Sequence, residues 1–246
     1  VSEQGSVDGL LVIDKPTGWT SHDVVARIRR LTRSRRAGHA GTLDPLATGV
    51  LVLGIGQGTR VLRYLSDSNK TYQAVVRLGQ TTNTYDAAGE RTGESAINGI
   101  SQTNVQSALY PFTGSFNQLP PVYSAIKVAG RPLYRYARAG IDVELSPRPV
   151  HVNRLELMEF EPPLLRLEIE SAAGFYVRSL AHDLGQSLGC GAHLAELRRT
   201  RAGPFNESDA VSMSEVENAV ASDRLAERLR SLDVPLLDQP AVILAE

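Results

Sequence analysis

The 246-residue chain lacks most of the groups that would point to redox or metal chemistry. Cys190 is its only cysteine, so no disulfide forms within the chain and no C-x-x-C exists. His22, His39, His151, His182 and His193 show no paired ligand spacing, which argues against a zinc site. A P-loop lysine motif is missing as well. Gly54, Gly56 and Gly58 follow an apolar run, but the spacing of a dinucleotide loop is wrong and no acid follows at the expected distance. The expectation is therefore no metal and no cofactor. Long apolar runs are absent: the longest, residues 50–56, suits a buried strand and falls far short of a membrane span. The polar start, VSEQGSVDG, is not a signal peptide. A cytoplasmic protein without a membrane partner is expected.

An excess of charge of one sign is also missing, since the formal net charge is −1. The distribution is uneven, however. Residues 205–246 carry three arginines against nine acids, a net of −6, which leaves +5 for residues 1–204. Arg27, Arg29, Arg30, Arg33, Arg35 and Arg36 crowd into one segment and create a local positive field. A solvated helix face and a phosphate contact both fit that cluster. Residues 119–149 interleave Tyr123, Tyr134 and Tyr136 with Lys127, Arg131, Arg135 and Arg138 among five prolines. This suits a nucleic-acid surface, and a proline-rich structural loop equally.

Periodicity places strands at residues 10–13, 50–55, 71–78, 150–157 and 164–171. Helices are expected from Ser21 as N-cap to about Arg33, from residue 58 to 65, from Thr103 to Tyr110, and over residues 176–188. Ser212 and Glu215 have capping-box spacing before a last helix. Residues 79–93 read as a loop. The elements mix without strict βαβ alternation, so the class is α+β.

The most informative segment is residues 38–51, GHAGTLDPLATGVL. Gly38, Gly41 and Gly49 permit sharp turns and close approach. Pro45 biases Asp44 toward extended backbone. The loop thus presents one carboxylate rigidly just before a buried strand, as a catalytic nucleophile requires. An isolated Asp-Pro is most often a simple turn. Here the whole string resembles the active-site motif of the TruB family of pseudouridine synthases, G-H-x-G-x-L-D-P-x-A-x-G-x-L, at every fixed position. The likeness extends to LVIDKPTGWTS at residues 11–21, Lys70-Thr71-Tyr72, residues 82–86 (TNTYD), residues 174–178 (GFYVR) and Leu197-Arg198-Arg199. Residues 119–149 are similar to the family's RNA-binding thumb insertion.

The resemblance implies a pseudouridine synthase fold: a mixed, largely antiparallel central sheet with flanking helices. It implies a catalytic domain over residues 1–205 and a C-terminal helical extension over 206–246, without a PUA domain. It implies isomerisation of uridine at position 55 in the T-arm of tRNA, with base flipping. Asp44 would be the catalytic carboxylate, Arg178 its guanidinium partner, and Tyr72 the ring that stacks on the flipped base. His39 would fill the gap left by the uridine, ahead of a structural role or a role as general base. Asp86 would organise the cleft, Lys15 and Lys127 would contact phosphate, and Tyr176 and Leu197 would line the RNA site. The expected partner is tRNA, bound by a monomer without guide RNA. A guide-RNA-dependent relative of the dyskerin type and a tRNA-folding chaperone are the alternatives. A lone carboxylate argues against ordinary glycoside hydrolysis, which uses two.

Overall fold

The computed structural model describes residues 7–124 and 126–236. Residues 237–246 of the expected C-terminal extension lie outside the described residues. The chain forms two compact units, one drawn from residues 1–70 and 198–246, the other from residues 71–197.

Unit 1 opens with β1 (Gly9–Lys15), α1 (Ser21–Thr32), β2 (Ala37–Ala40), β3 (Thr48–Ile55) and α2 (Leu62–Ser66). β1 and β2 both pair antiparallel with β3, whose residues from Gly49 to Ile55 are all buried. A continuous apolar run of this length is what a strand covered on both faces needs. One core cluster gathers Leu10, Val12, Val50, Val52, Leu62, Leu65 and Phe205. On α1, Val24, Val25 and Ile28 are buried, as the apolar stripe predicts. Its N-cap is Thr20 rather than Ser21: Thr20 and Asp23 form a capping box, which frees the Ser21 hydroxyl for another partner.

Unit 2 contains β4 (Lys70–Leu78, apart from Lys70), β5 (Gln80–Thr82), β6 (Arg91–Glu94), α3 (Gln102–Leu109) and β7 (Gly114–Gln118). It continues with β8 (Lys127–Val128), β9 (Arg131–Pro132), α4 (Leu133–Arg138), β10 (Arg148–Glu161), β11 (Leu164–Ser171) and α5 (Val177–Ser187). Its sheet runs β4-β11-β10-β7, and β10 pairs antiparallel with both neighbours. Residues 79–93, expected as a loop, carry the β5–β6 hairpin. In the expected thumb, β8 and β9 form a second hairpin. Its two turn residues, Ala129 (φ 47°) and Gly130 (φ 79°), both adopt the left-handed backbone that matches strand twist.

β12 (Ala192–Ala202) starts in unit 2 and ends in unit 1, where β13 (Phe205–Asn206) and α6 (Met213–Ala221) follow. Ser212 caps α6 through the expected box with Glu215. The end of β12 pairs parallel with β3 at Arg198↔Thr48 and Arg199↔Gly49. The class is thus α+β with mixed, largely antiparallel pairing, as expected. No helix among the described residues is long and apolar enough to cross a membrane.

Candidate active site

Asp44 lies in unit 1, half-buried, in the bend between β2 and β3. Leu43 and Ala47, at 3% and 0% exposure, anchor the bend on either side of it. Ala47 N donates to the Asp44 carbonyl at 3.1 Å and closes a tight turn. Two glycines make the bend possible. Gly41 has φ +76° and Gly49 φ +95°, and a Cβ on Gly49 would come within 2.2 Å of the Arg199 carbonyl oxygen.

The segment after β1 clamps this bend. The Ser21 hydroxyl donates to the Leu43 carbonyl at 3.0 Å and accepts from Leu43 N at 2.8 Å. Gly18 N donates to the Pro45 carbonyl at 2.8 Å. Lys15, expected on phosphate, is instead buried at 0% exposure. Its ammonium donates to the carbonyls of Pro16 (2.9 Å), Trp19 (2.6 Å) and Pro45 (3.4 Å). A phosphate contact would require it to abandon all three. Burial pulls this lysine down to about 8, against the opposing pull of the Asp44 carboxylate.

Arg199 holds the other side. It is 1% exposed, and it donates through Nε to the Val50 carbonyl at 2.7 Å and through Nη2 to Gly41 at 3.0 Å. Such charge-assisted bonds are worth about 1.5–3 kcal/mol each. The sequence marks Arg199 only as part of a segment, Leu197-Arg198-Arg199, to which the family likeness extends. The available signal was an arginine inside an alternating strand, hidden by the charged neighbours Arg198 and Arg201.

His39 sits on β2, its Nδ1 buried without a hydrogen-bond partner and its ring 6.0 Å from that of His22. Burial, reinforced by His22 and Arg199, lowers its imidazole to about 4, so the ring is neutral at physiological pH. The ordinary value is 6.5. Between those limits the unfolded chain binds the proton and the folded chain does not. Stability is therefore full above pH 6.5 and falls as pH drops toward 4. A His39→Gln variant is expected to remove this loss, about 1–2 kcal/mol after solvent screening. Urea unfolding of both proteins at pH 4.5 and 7 checks it; equal acid sensitivity would contradict the assignment.

Unit 2 carries Tyr72, Asp86, Lys127, Tyr176, Arg178 and Leu197. It brings Asp86 and Arg178 together. Arg178, in the first turn of α5, is 4% exposed although its position favours solvent. It donates to the carbonyls of Tyr123 (2.9 Å) and Thr84 (3.2 Å), with Nε 3.8 Å from Asp86 Oδ2. Asp86 also accepts from Thr84 Oγ1 at 2.6 Å and Ala88 N at 3.1 Å. Tyr85, between them, has φ 63° and stacks on the His182 ring with centroids 3.9 Å apart. Gln118 pairs with both backbone groups of Tyr176 and fixes the entry to α5. Tyr72 is partly exposed on β4, Lys127 is exposed on β8, and Leu197 is 8% exposed on β12.

Comparison with known proteins adds an independent line. Residues 29–177 match the TruB family pseudouridylate synthase N-terminal domain, and residues 178–237 match the tRNA pseudouridylate synthase B C-terminal domain. A tRNA pseudouridine synthase B of Syntrophotalea carbinolica is 45% identical over 96% of this chain and 77% of its own length. One from Pseudomonas paraeruginosa is 45% identical over 98% and 80%. A chain of the solved Cbf5-Nop10-Gar1 complex superposes with a TM-score of 0.72 at 30% identity, covering 92% of this chain. This chain spans 61% of that one. A buried clamp around one glycine-lined carboxylate, within a match unbroken from residue 29 to residue 237, leaves one conclusion: the chain belongs to the TruB family of pseudouridylate synthases.

Proposed function

We propose that the protein isomerises uridine to pseudouridine at position 55 in the T-arm of tRNA, with Asp44 as the catalytic carboxylate. The observation that carries this reading is the clamped Asp44 bend, held by Ser21, Lys15 and Arg199 through backbone carbonyls. Catalysis here needs one carboxylate at a fixed place, and little else. The N1–C1′ bond breaks, the uracil turns, and a C5–C1′ bond forms. The C5 proton leaves and N1 gains one, so the reaction balances with no cofactor consumed.

Arg178 is assigned as guanidinium partner of the carboxylate and Tyr72 as the ring that stacks on the flipped base. Neutral His39 is assigned to the space the uridine vacates, because a ring held near 4 is a poor base at neutral pH. Lys127, Tyr176 and Leu197 are assigned to RNA contact, and Asp86 to the geometry of Arg178. We further propose action as a cytoplasmic monomer without guide RNA. The relatives named tRNA pseudouridine synthase B, at 45% identity, support tRNA as the substrate; the chain of the solved Cbf5-Nop10-Gar1 complex stands further away, at 30%.

The test uses the purified chain alone and an unmodified tRNA transcript tritiated at uridine C5. Tritium release and one pseudouridine at position 55 are expected. Release that appears only when a guide RNA is added would refute the stand-alone reading. Modification at another nucleotide would refute the target.

A further inference from the structure

A second feature of unit 1 has no part in the clamp. The chain between α1 and β2 borders a cavity of about 980 Å³, with Arg33, Arg35 and Arg36 on its wall. All three are exposed, and among the described residues none of their guanidiniums has a hydrogen-bond or ion-pair partner. Their backbone, by contrast, is fixed. Arg33 takes φ 52° as the C-cap of α1, the Ser34 hydroxyl bonds both Arg36 N and Arg36 O, and Gly56 N donates to the Arg36 carbonyl at 2.8 Å. Asp8 and Asp223 also line the cavity. Asp8 is engaged: its Oδ1 accepts from Gln57 N at 2.7 Å, beside Gly56, whose φ of +56° favours glycine.

The place of this cavity matters. β2 pairs antiparallel with β3 from Ala37↔Ile55 to Ala40↔Val52. The arginines precede Ala37, and Gly56 follows Ile55. The Asp44 bend lies at the opposite end of the same hairpin, before Thr48. At about 3.3 Å per residue, the length of β3 separates the two by roughly 23 Å. A nucleic-acid stem rises about 3 Å per step, so that span corresponds to roughly seven to eight stacked nucleotides.

Three unpaired guanidiniums on a fixed backbone are a phosphate-binding surface: each offers a planar fork that matches a phosphate, and together they concentrate anions. We propose that this arginine cleft is a second RNA site, which takes backbone phosphates of the tRNA beyond the T-arm stem-loop while Asp44 holds the uridine. The inference rests on tRNA being the substrate. Its role is to add affinity and register for the whole tRNA, and an isolated hairpin ends before reaching it.

The experiment compares wild type with a triple Arg33→Gln, Arg35→Gln, Arg36→Gln variant on two RNAs, a full-length tRNA transcript and its T-arm hairpin. Affinity is read by fluorescence anisotropy across a salt series, and pseudouridine formation on both RNAs. For full-length tRNA the variant is expected to bind about five- to tenfold more weakly, with the salt slope reduced by about 2 to 3. Hairpin affinity and turnover should stay within twofold, which also shows that the variant is folded. Unchanged binding of full-length tRNA overturns the proposal, and so does an equal loss on both RNAs. A wild-type protein that modifies neither RNA would instead overturn the proposed function, so the two failures are distinct.

Discussion

Asp44→Asn is expected to lower pseudouridine formation by at least ~10³-fold, or about 4 kcal/mol of transition-state stabilisation, while tRNA affinity stays within about threefold. The substitution is nearly isosteric. The bend should keep its shape, because the Leu43, Pro45, Gly41 and Val50 backbone groups are each held by hydrogen bonds that the substitution leaves in place. What disappears is the charge and the nucleophilic oxygen pair. One further change is expected. The Asp44 carboxylate now raises the Lys15 value against the effect of burial, so an amide in its place should let Lys15 fall below about 8. Single-turnover assays with C5-tritiated tRNA and a binding isotherm separate the two effects. Normal turnover by the variant would remove Asp44 from the chemistry. Loss of binding in parallel with turnover would instead make it a folding or recognition residue.

Arg178→Met is expected to destabilise the protein by about 3–5 kcal/mol and to abolish activity. The guanidinium donates to two carbonyls and faces a buried carboxylate whose side chain is 8% exposed. A shorter, uncharged thioether leaves Asp86 without that cation, and removing one partner of a buried charge pair costs more than the pair itself contributes. Arg178→Lys should recover only a small part, since one ammonium cannot reach Thr84, Tyr123 and Asp86 together. Adding Asp86→Asn to Arg178→Met should restore about 1 kcal/mol or more, because the amide needs no cation. Equilibrium urea unfolding measures the wild type, these three variants and Asp86→Asn alone, which completes the double-mutant cycle. Additive losses in the double variant would show that Asp86 and Arg178 act separately. Recovery of stability without recovery of activity is the expected pattern, since the proposed role of Arg178 requires the guanidinium and the fold only requires that no charge be stranded.

Local pattern made much of this legible. The alternating and continuous apolar runs at residues 10–13, 50–55, 71–78 and 164–171 all lie inside observed strands, and the stripe of Val24, Val25 and Ile28 is buried on α1 as periodicity requires. β12 went unread because Glu196, Arg198, Arg199 and Arg201 disguise its alternation, and β2 because four residues carry too little period. Ser21 shows the same limit at a single residue. Serine before an apolar stripe is a good N-cap, but Thr20 with Asp23 makes the better box, and the Ser21 hydroxyl turns to Leu43 instead.

By itself the amino-acid order determined the strands and helices of strong period, the glycine-flanked bend and the identity of its carboxylate, since each depends on neighbours within a few residues. Only the tertiary structure decided what Lys15 and Arg199 do. A lysine's partners depend on whether water reaches it, and Lys15 is closed off by a bend 30 residues away. Arg199 meets Gly41 and Val50 across some 150 residues of chain, a distance over which no local pattern carries information. Charge in a sequence says how much field a segment has; burial alone says whether that field grips a backbone or reaches out to RNA.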